Sequence, residues 1–85
     1  MRESVLRDKS FSFAIRVVNL FKHLKETKNE YVISKQLLRS GTSVGANIRE
    51  SEYSESKADF VHKLSIAQKE ANETIYWLEL LKATN

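Results

Sequence analysis

The fold is decided by residues 57–82, KADFVHKLSIAQKEANETIYWLELLK, which carry the clearest periodic pattern in the chain. Apolar or small side chains recur every three or four residues over about seven turns, the spacing of one helical face. The members of this seam are Phe60, Leu64, Ala67, Ala71, Thr74 or Ile75, Leu78 and Leu81. Ser56 is the predicted N-cap, with Asp59 three residues later as in a capping box. The pattern predicts a helix over 57–82, narrowed at its middle by the two alanines.

A second seam lies in residues 31–53, where one helical face holds Ile33, Leu37, Val44 and Ile48. The middle of this segment, SGTSVGA at 40–46, contains both glycines of the chain. Each glycine inside a helix costs about 1 kcal/mol relative to alanine. Either these small residues admit a neighbouring helix, or the helix breaks here into a loop. The seam keeps its phase across the segment, which favours a continuous helix, and we expect Ala67 and Ala71 to face it.

The first helix is predicted over residues 9–25, with Asp8 or Ser10 as its cap. Two apolar stripes run along it side by side and together span roughly 220° of its circumference. One stripe is Phe13, Val17, Leu20 and Leu24, and the other is Phe11, Ala14, Val18 and Phe21. Such a helix is buried on two sides. It is either the central helix of one bundle, or it presents one face to the core and one to another subunit.

Composition limits the chain to one small domain, residues 1–85, with no proline and two glycines. The three predicted helices, joined by short polar segments, indicate an all-α, antiparallel up-down bundle. A core of this size gives only marginal stability, and the absence of cysteine excludes stabilisation by disulfides. Self-association is the remaining source of stability. No segment has the length of a membrane span or the pattern of a signal peptide, so we expect a cytoplasmic protein without a membrane partner.

Charge is distributed unevenly along the chain. Residues 1–49 hold ten Lys or Arg and four Asp or Glu, a balance of +6, whereas residues 50–85 hold four and seven, a balance of −3. This asymmetry indicates either a basic binding face or an ordinary solvated helix surface. The candidate nucleic-acid-binding residues are Lys9, Arg16, Lys22, Lys25, Lys28, Lys35 and Arg49.

Polar residues flank the seams of the second and third helices. The predicted structural network comprises Arg39, Ser43, Asn47, Glu50, Glu70, Glu73 and Trp77. If the helices pack antiparallel, Arg39 can pair with Glu70 or Glu73 and set the register. The alternatives are unconnected surface charges or an acidic catalytic site at the three glutamates. A di-metal bundle site needs Glu-x-x-His pairs, but Glu73 follows Glu70, so we predict no metal, no cofactor and no catalytic residue.

Two stretches carry a family resemblance: QLLRSGTSVGANIRE at 36–50 and DFVHKLSIAQKEANET at 59–74, the latter followed by YWL at 76–78. With FSFA at 11–14, they resemble the bacterial four-helix bundle protein family. That family includes the proteins encoded in intervening sequences of large-subunit rRNA genes and the accessory variability proteins of diversity-generating retroelements. The resemblance covers the chain from about residue 9 onward.

The resemblance implies an up-down bundle that assembles into a ring, typically a homopentamer. For the retroelement relatives it implies a basic surface for RNA or DNA and a reverse transcriptase partner. For the intervening-sequence relatives it implies no established activity. Family members continue through a fourth helix that this sequence lacks, so it is either a fragment or a short member. We expect the uncovered seam to be covered by symmetry-related copies or by a swapped helix.

These observations predict a non-enzymatic, oligomeric helical scaffold. The alternative hypothesis is a nucleic-acid-binding accessory protein acting through its basic surface, with a reverse transcriptase partner.

Overall fold

The protein is described by a computed structural model that covers the backbone of residues 2–84 and the side chains of residues 5–84. It consists of three helices: α1, Arg2–Glu26; α2, Ile33–Ser51; and α3, Lys57–Thr84. The described residues contain no strand, so the predicted all-α class is confirmed. The helices lie along a body of 43 × 18 × 15 Å.

Helix α1 begins at Arg2, seven residues before the predicted start at Lys9. The proposed caps were wrong, because Asp8 and Ser10 lie inside the helix. The Ser10 hydroxyl instead donates to the carbonyl of Arg7 at 3.1 Å, one turn back. Since neither proline nor glycine interrupts this segment, the helix extends past the point where its polar residues suggested a boundary.

The other two helices lie close to their predicted bounds. Helix α2 is two residues shorter at each end than 31–53, and α3 runs two residues beyond Lys82. Ser56 caps α3 as predicted, since its hydroxyl accepts a hydrogen bond from the amide of Asp59 at 3.0 Å. Helix α2 has no side-chain cap on Val32, the residue before its first turn. The Glu30 carboxylate, in the connection between α1 and α2, is the acceptor for the first amides of α2 instead.

Cross-helix contacts establish the up-down order. Arg7 near the start of α1 approaches Glu52 just past the end of α2, and Lys63 in the first half of α3 pairs with Glu50 at the end of α2. Helices α1 and α3 both pack on α2 and not on each other. The small core is buried along α2, on the residues Leu37, Val44 and Ile48, with Val17 from α1 and Ala67 from α3.

The glycine-containing segment of α2 is helical throughout, as favoured by the phase of its seam. Its glycines face α1, however, and not the alanines of α3. A Cβ atom at Gly41 would lie 2.8 Å from both γ-carbons of Val17, and one at Gly45 would lie 3.4 Å from the Ser10 carbonyl oxygen. On the α3 side, Ala67 packs instead against Val44 and Ile48. The glycines therefore bring α1 close, whereas Ala67 and Ala71 face the same segment through Val44, as expected.

Candidate functional site

The polar cluster between α2 and α3 is centred on Arg39. Its guanidinium donates to the Glu70 carboxylate at 3.0 Å and also to Glu73. The indole Nε1 of Trp77 donates to the same Glu73 oxygen at 2.9 Å. Glu70 and Glu73 lie on one face because they are three residues apart on α3, and Trp77 follows Glu73 by four. The antiparallel packing of α2 brings Arg39 to that face.

The hydrogen bonds in this cluster favour the charged forms of Glu73 and Arg39. Hydrogen bonds from Trp77 and from Arg39 hold the pKa of the Glu73 carboxyl below its ordinary value. The bond to Glu73, with a further one to Glu70, raises the pKa of the Arg39 guanidinium. A carboxylate held in this state is a hydrogen-bond acceptor and a poor proton donor at neutral pH. The cluster is thus chemically suited to joining two helices, and half of the Arg39 side chain remains exposed.

The remaining predicted network residues do not join this cluster. Glu50 pairs with Lys63 at 3.0 Å, which raises the pKa of the lysine. Asn47 donates within its own helix to the carbonyl and hydroxyl oxygens of Ser43, at 2.9 and 3.1 Å. The structure therefore places the seven residues in three separate groups. Contacts between helices are made by the group of four around Arg39 and by the Glu50–Lys63 pair. The Ser43–Asn47 pair lies within α2.

Two cross-helix contacts were missed by sequence reasoning. The hydroxyls of Ser40 and Thr74 lie 2.9 Å apart and are buried between α2 and α3. Arg7 donates to Glu52 at 3.5 Å, and the other Glu52 carboxylate oxygen is buried without a hydrogen-bond partner among the described residues. The only sequence signal for the first pair was the presence of Thr74 in the α3 seam.

The seven predicted nucleic-acid-binding residues are all exposed, but they do not form one patch. Lys9 and Arg16 lie together on one side of α1, beside Phe13. Arg49 lies on the side where α1 meets α2, and Lys28 lies where the C-terminal ends of α1 and α3 approach. No residue of the seven forms an ion pair with any described side chain.

Two open grooves flank α1. A groove of about 490 Å³ separates the C-terminal ends of α1 and α3, with Leu20, Leu24, Leu78 and Leu81 in its wall. A second groove of about 230 Å³ lies between α1 and α2, with Arg7, Phe11 and Arg49 along it. Within residues 5–84 the structure has no group of three His, Cys, Asp or Glu side chains that could hold a metal ion.

None of the helices in residues 2–84 is both long and apolar enough to cross a membrane. A crystal structure of a protein with unknown function from the S23 ribosomal protein family of Bacteroides thetaiotaomicron is similar to this chain, with a TM-score of 0.98 and 61% sequence identity. The similarity covers 100% of this chain and 76% of that one. No protein with a curated description matches the chain. Residues 2–85 match the family described as 23S rRNA-intervening sequence protein, and the chain therefore belongs to that family.

Proposed function

We propose that this chain is a non-enzymatic helical scaffold that works as a homo-oligomer. The observation that carries the proposal is the open groove between α1 and α3, which both helices line with leucine. Leu78, in the apolar seam of α3, is 36% exposed, and Ile75, beside the seam position that Thr74 fills, is 53% exposed, because α3 packs only on α2. Apolar surface of this kind on a small helical domain favours association.

Helix α1 supports the same proposal from its other side. Ile15, which borders the second apolar stripe of the helix, is 48% exposed, and Val18 and Phe21 of that stripe are only partly buried. In the first stripe Val17 is buried against α2, whereas Leu20 and Leu24 line the open groove. Of the two interpretations of α1, the structure favours a helix with one face in the core and one available to another subunit. We propose that a helix of a second copy covers the groove.

Size-exclusion chromatography with light scattering tests this proposal. We expect a mass well above the 9.8 kDa of one chain at micromolar concentration, and a fivefold mass identifies the pentamer that the family resemblance implies. Leu78→Lys places a charge in the groove and is expected to shift the protein towards monomer. Tyr76→Lys is the matched control, because Tyr76 is exposed on the same helix but does not line this groove. A wild-type monomer with an intact circular-dichroism spectrum contradicts the proposal.

Nucleic-acid binding is a second candidate function, favoured by the exposure of all seven predicted cations and by their lack of ion pairs among the described side chains. Binding through phosphates releases counterions and so weakens steeply with salt. We expect labelled RNA or DNA to be retarded at about 50 mM salt and released at about 200 mM. Equal mobility of free and protein-treated strands at the lower salt concentration contradicts this function.

A further inference from the structure

The groove between α1 and α2 combines an aromatic ring, two cations and a shallow floor. Its volume is about 230 Å³, and it is lined by Arg7, Phe11, Ala14, Gly45, Ala46 and Arg49. The floor is shallow because the glycine brings α2 close to the backbone of α1 at Ser10.

The charged side chains of this groove favour an anion. Arg49 lies over the Phe11 ring, 5.6 Å from its centroid, and no described side chain forms an ion pair with it. The Arg7 side chain is 40% exposed, and its contacts to Asp8 and Glu52 are long, at 3.8 and 3.5 Å. The groove lining itself includes no carboxylate.

We propose that this groove binds single-stranded nucleic acid. An unpaired base stacks on the exposed Phe11–Arg49 pair, and the neighbouring phosphates are held by the free donors of Arg7 and Arg49. Aromatic rings and guanidinium planes are the surfaces on which unpaired bases stack, and every base presents such a face. An acidic peptide would use the cations but would leave the exposed ring without a stacking partner. This site rests on the second candidate function above, and of its two residues that bind phosphate only Arg49 belonged to the predicted basic set.

Fluorescence anisotropy with labelled single strands of about 12 nucleotides tests the site on the full-length chain. The probes are an RNA strand, a DNA strand, a duplex of equal length and an abasic strand with the same phosphates. We expect both intact single strands to bind about tenfold more tightly than the abasic strand. Arg49→Ala is expected to weaken binding about tenfold and to reduce the slope of log K against log salt by about one.

Phe11→Leu separates stacking from charge, because it keeps an apolar side chain and removes the ring. It is expected to weaken binding of intact strands severalfold and to leave binding of the abasic strand unchanged. Lys69→Ala is the matched control: it removes the same charge from an exposed position on α3, and Lys69 is not among the seven candidate nucleic-acid-binding residues. It is expected to change affinity less than twofold.

Four outcomes overturn the site. They are equal binding of intact and abasic strands, equal loss in Arg49→Ala and Lys69→Ala, tighter binding of an acidic peptide than of a strand, and weakened binding only in variants whose mass by light scattering has also fallen. If the wild-type protein binds strands but Arg49→Ala and Phe11→Leu have no effect, only the assignment of this site is contradicted, and nucleic-acid binding stands. If the wild-type protein binds no strand at low salt, both this site and the second candidate function are contradicted.

Discussion

The Glu30 carboxylate holds the first turn of α2. One of its oxygens accepts hydrogen bonds from the amides of Val32 and Ile33 at 3.2 and 2.9 Å, and the other accepts from Ser34 at 2.7 Å. The first amides of a helix have no partner within it, and Val32 has no side chain that could accept. Burial by itself would raise the pKa of Glu30, but these hydrogen bonds outweigh it and bring the pKa below its ordinary value of 4.5.

Glu30→Gln removes the charge from this cap and should destabilise the fold by about 1 kcal/mol at neutral pH, the usual value of a helix cap. The pKa of Glu30 is lower in the folded chain than in the unfolded one, so the unfolded chain binds more protons in acid. The stabilisation is therefore complete above the unfolded pKa and is lost as pH falls from about 4.5 through the folded pKa. Urea unfolding of both proteins from neutral pH down to about pH 3 measures this difference.

Glu55→Gln is the control for that series, since Glu55 is an exposed carboxylate in the connection between α2 and α3. Its effect on the free energy of unfolding should be close to zero throughout. A difference between wild type and Glu30→Gln that stayed constant across the pH range would show that the charge of Glu30 is not what holds the turn.

Close packing of α1 on α2 depends on the absence of a side chain at Gly41. The two γ-carbons of Val17 occupy the space that a Cβ would need, and Val17 is itself 4% exposed. A glycine inside a helix costs about 1 kcal/mol in backbone entropy. The fold tolerates this cost because the glycine lets the two helix axes approach.

Gly41→Ala should destabilise the protein even though alanine is the better helix former. Overpacking a core costs about 1 to 3 kcal/mol, against a gain of about 1 kcal/mol in helix propensity, so a net loss of about 1 kcal/mol is expected. Gly45→Ala is the matched control, because its added Cβ meets the Ser10 oxygen at 3.4 Å, an ordinary contact. It should be neutral or slightly stabilising in thermal unfolding.

A double-mutant cycle identifies the cause of the loss. Val17→Ala removes the two γ-carbons that a Cβ at position 41 would contact. The loss in free energy of unfolding in the double variant should therefore be smaller than the sum of the losses in the single variants. Additive losses would mean that the alanine at position 41 acts through something other than contact with Val17.

The whole molecule is an open arrangement, with α2 between two helices whose Cα atoms stay more than 8 Å apart. Among residues 5–84, five apolar side chains are at least nine-tenths buried, namely Val17, Leu37, Val44, Ile48 and Ala67. A core of that size gives a small domain little stability. The proposed assembly would add the leucine-lined groove to the buried surface, so folding and association should be coupled.

Coupling of this kind makes the melting temperature depend on protein concentration. The melting temperature of the wild type should rise by several degrees over about a hundredfold increase in concentration, because association stabilises the folded state by mass action. Leu78→Lys should melt lower and show a smaller dependence, whereas Tyr76→Lys should follow the wild type. Differential scanning fluorimetry or calorimetry at three concentrations measures this. A melting temperature independent of protein concentration would show that folding is not coupled to association.

The amino-acid sequence by itself determined the three helices, the continuity of α2 through its glycines and the Ser56 cap of α3. These features depend on spacing and capping within a few residues, so they can be recognised along the chain. The start of α1 could not be recognised, because six further helical residues precede Asp8, the first of the polar residues that resembled a cap. The contacts of Arg39 with Glu70 and Glu73 were expected only on the condition of antiparallel packing.

Only the tertiary structure decided which surfaces meet. The small residues of α2 could have faced either neighbour, and Gly41 proved to face Val17 of α1. The Ser40–Thr74 pair and the Arg7–Glu52 contact join residues 34 and 45 positions apart. Such contacts depend on the rotation and register of one helix against another, which no local pattern encodes. The open groove between α1 and α3 follows from the same geometry, because two helices packed on different sides of α2 leave their own facing surfaces uncovered.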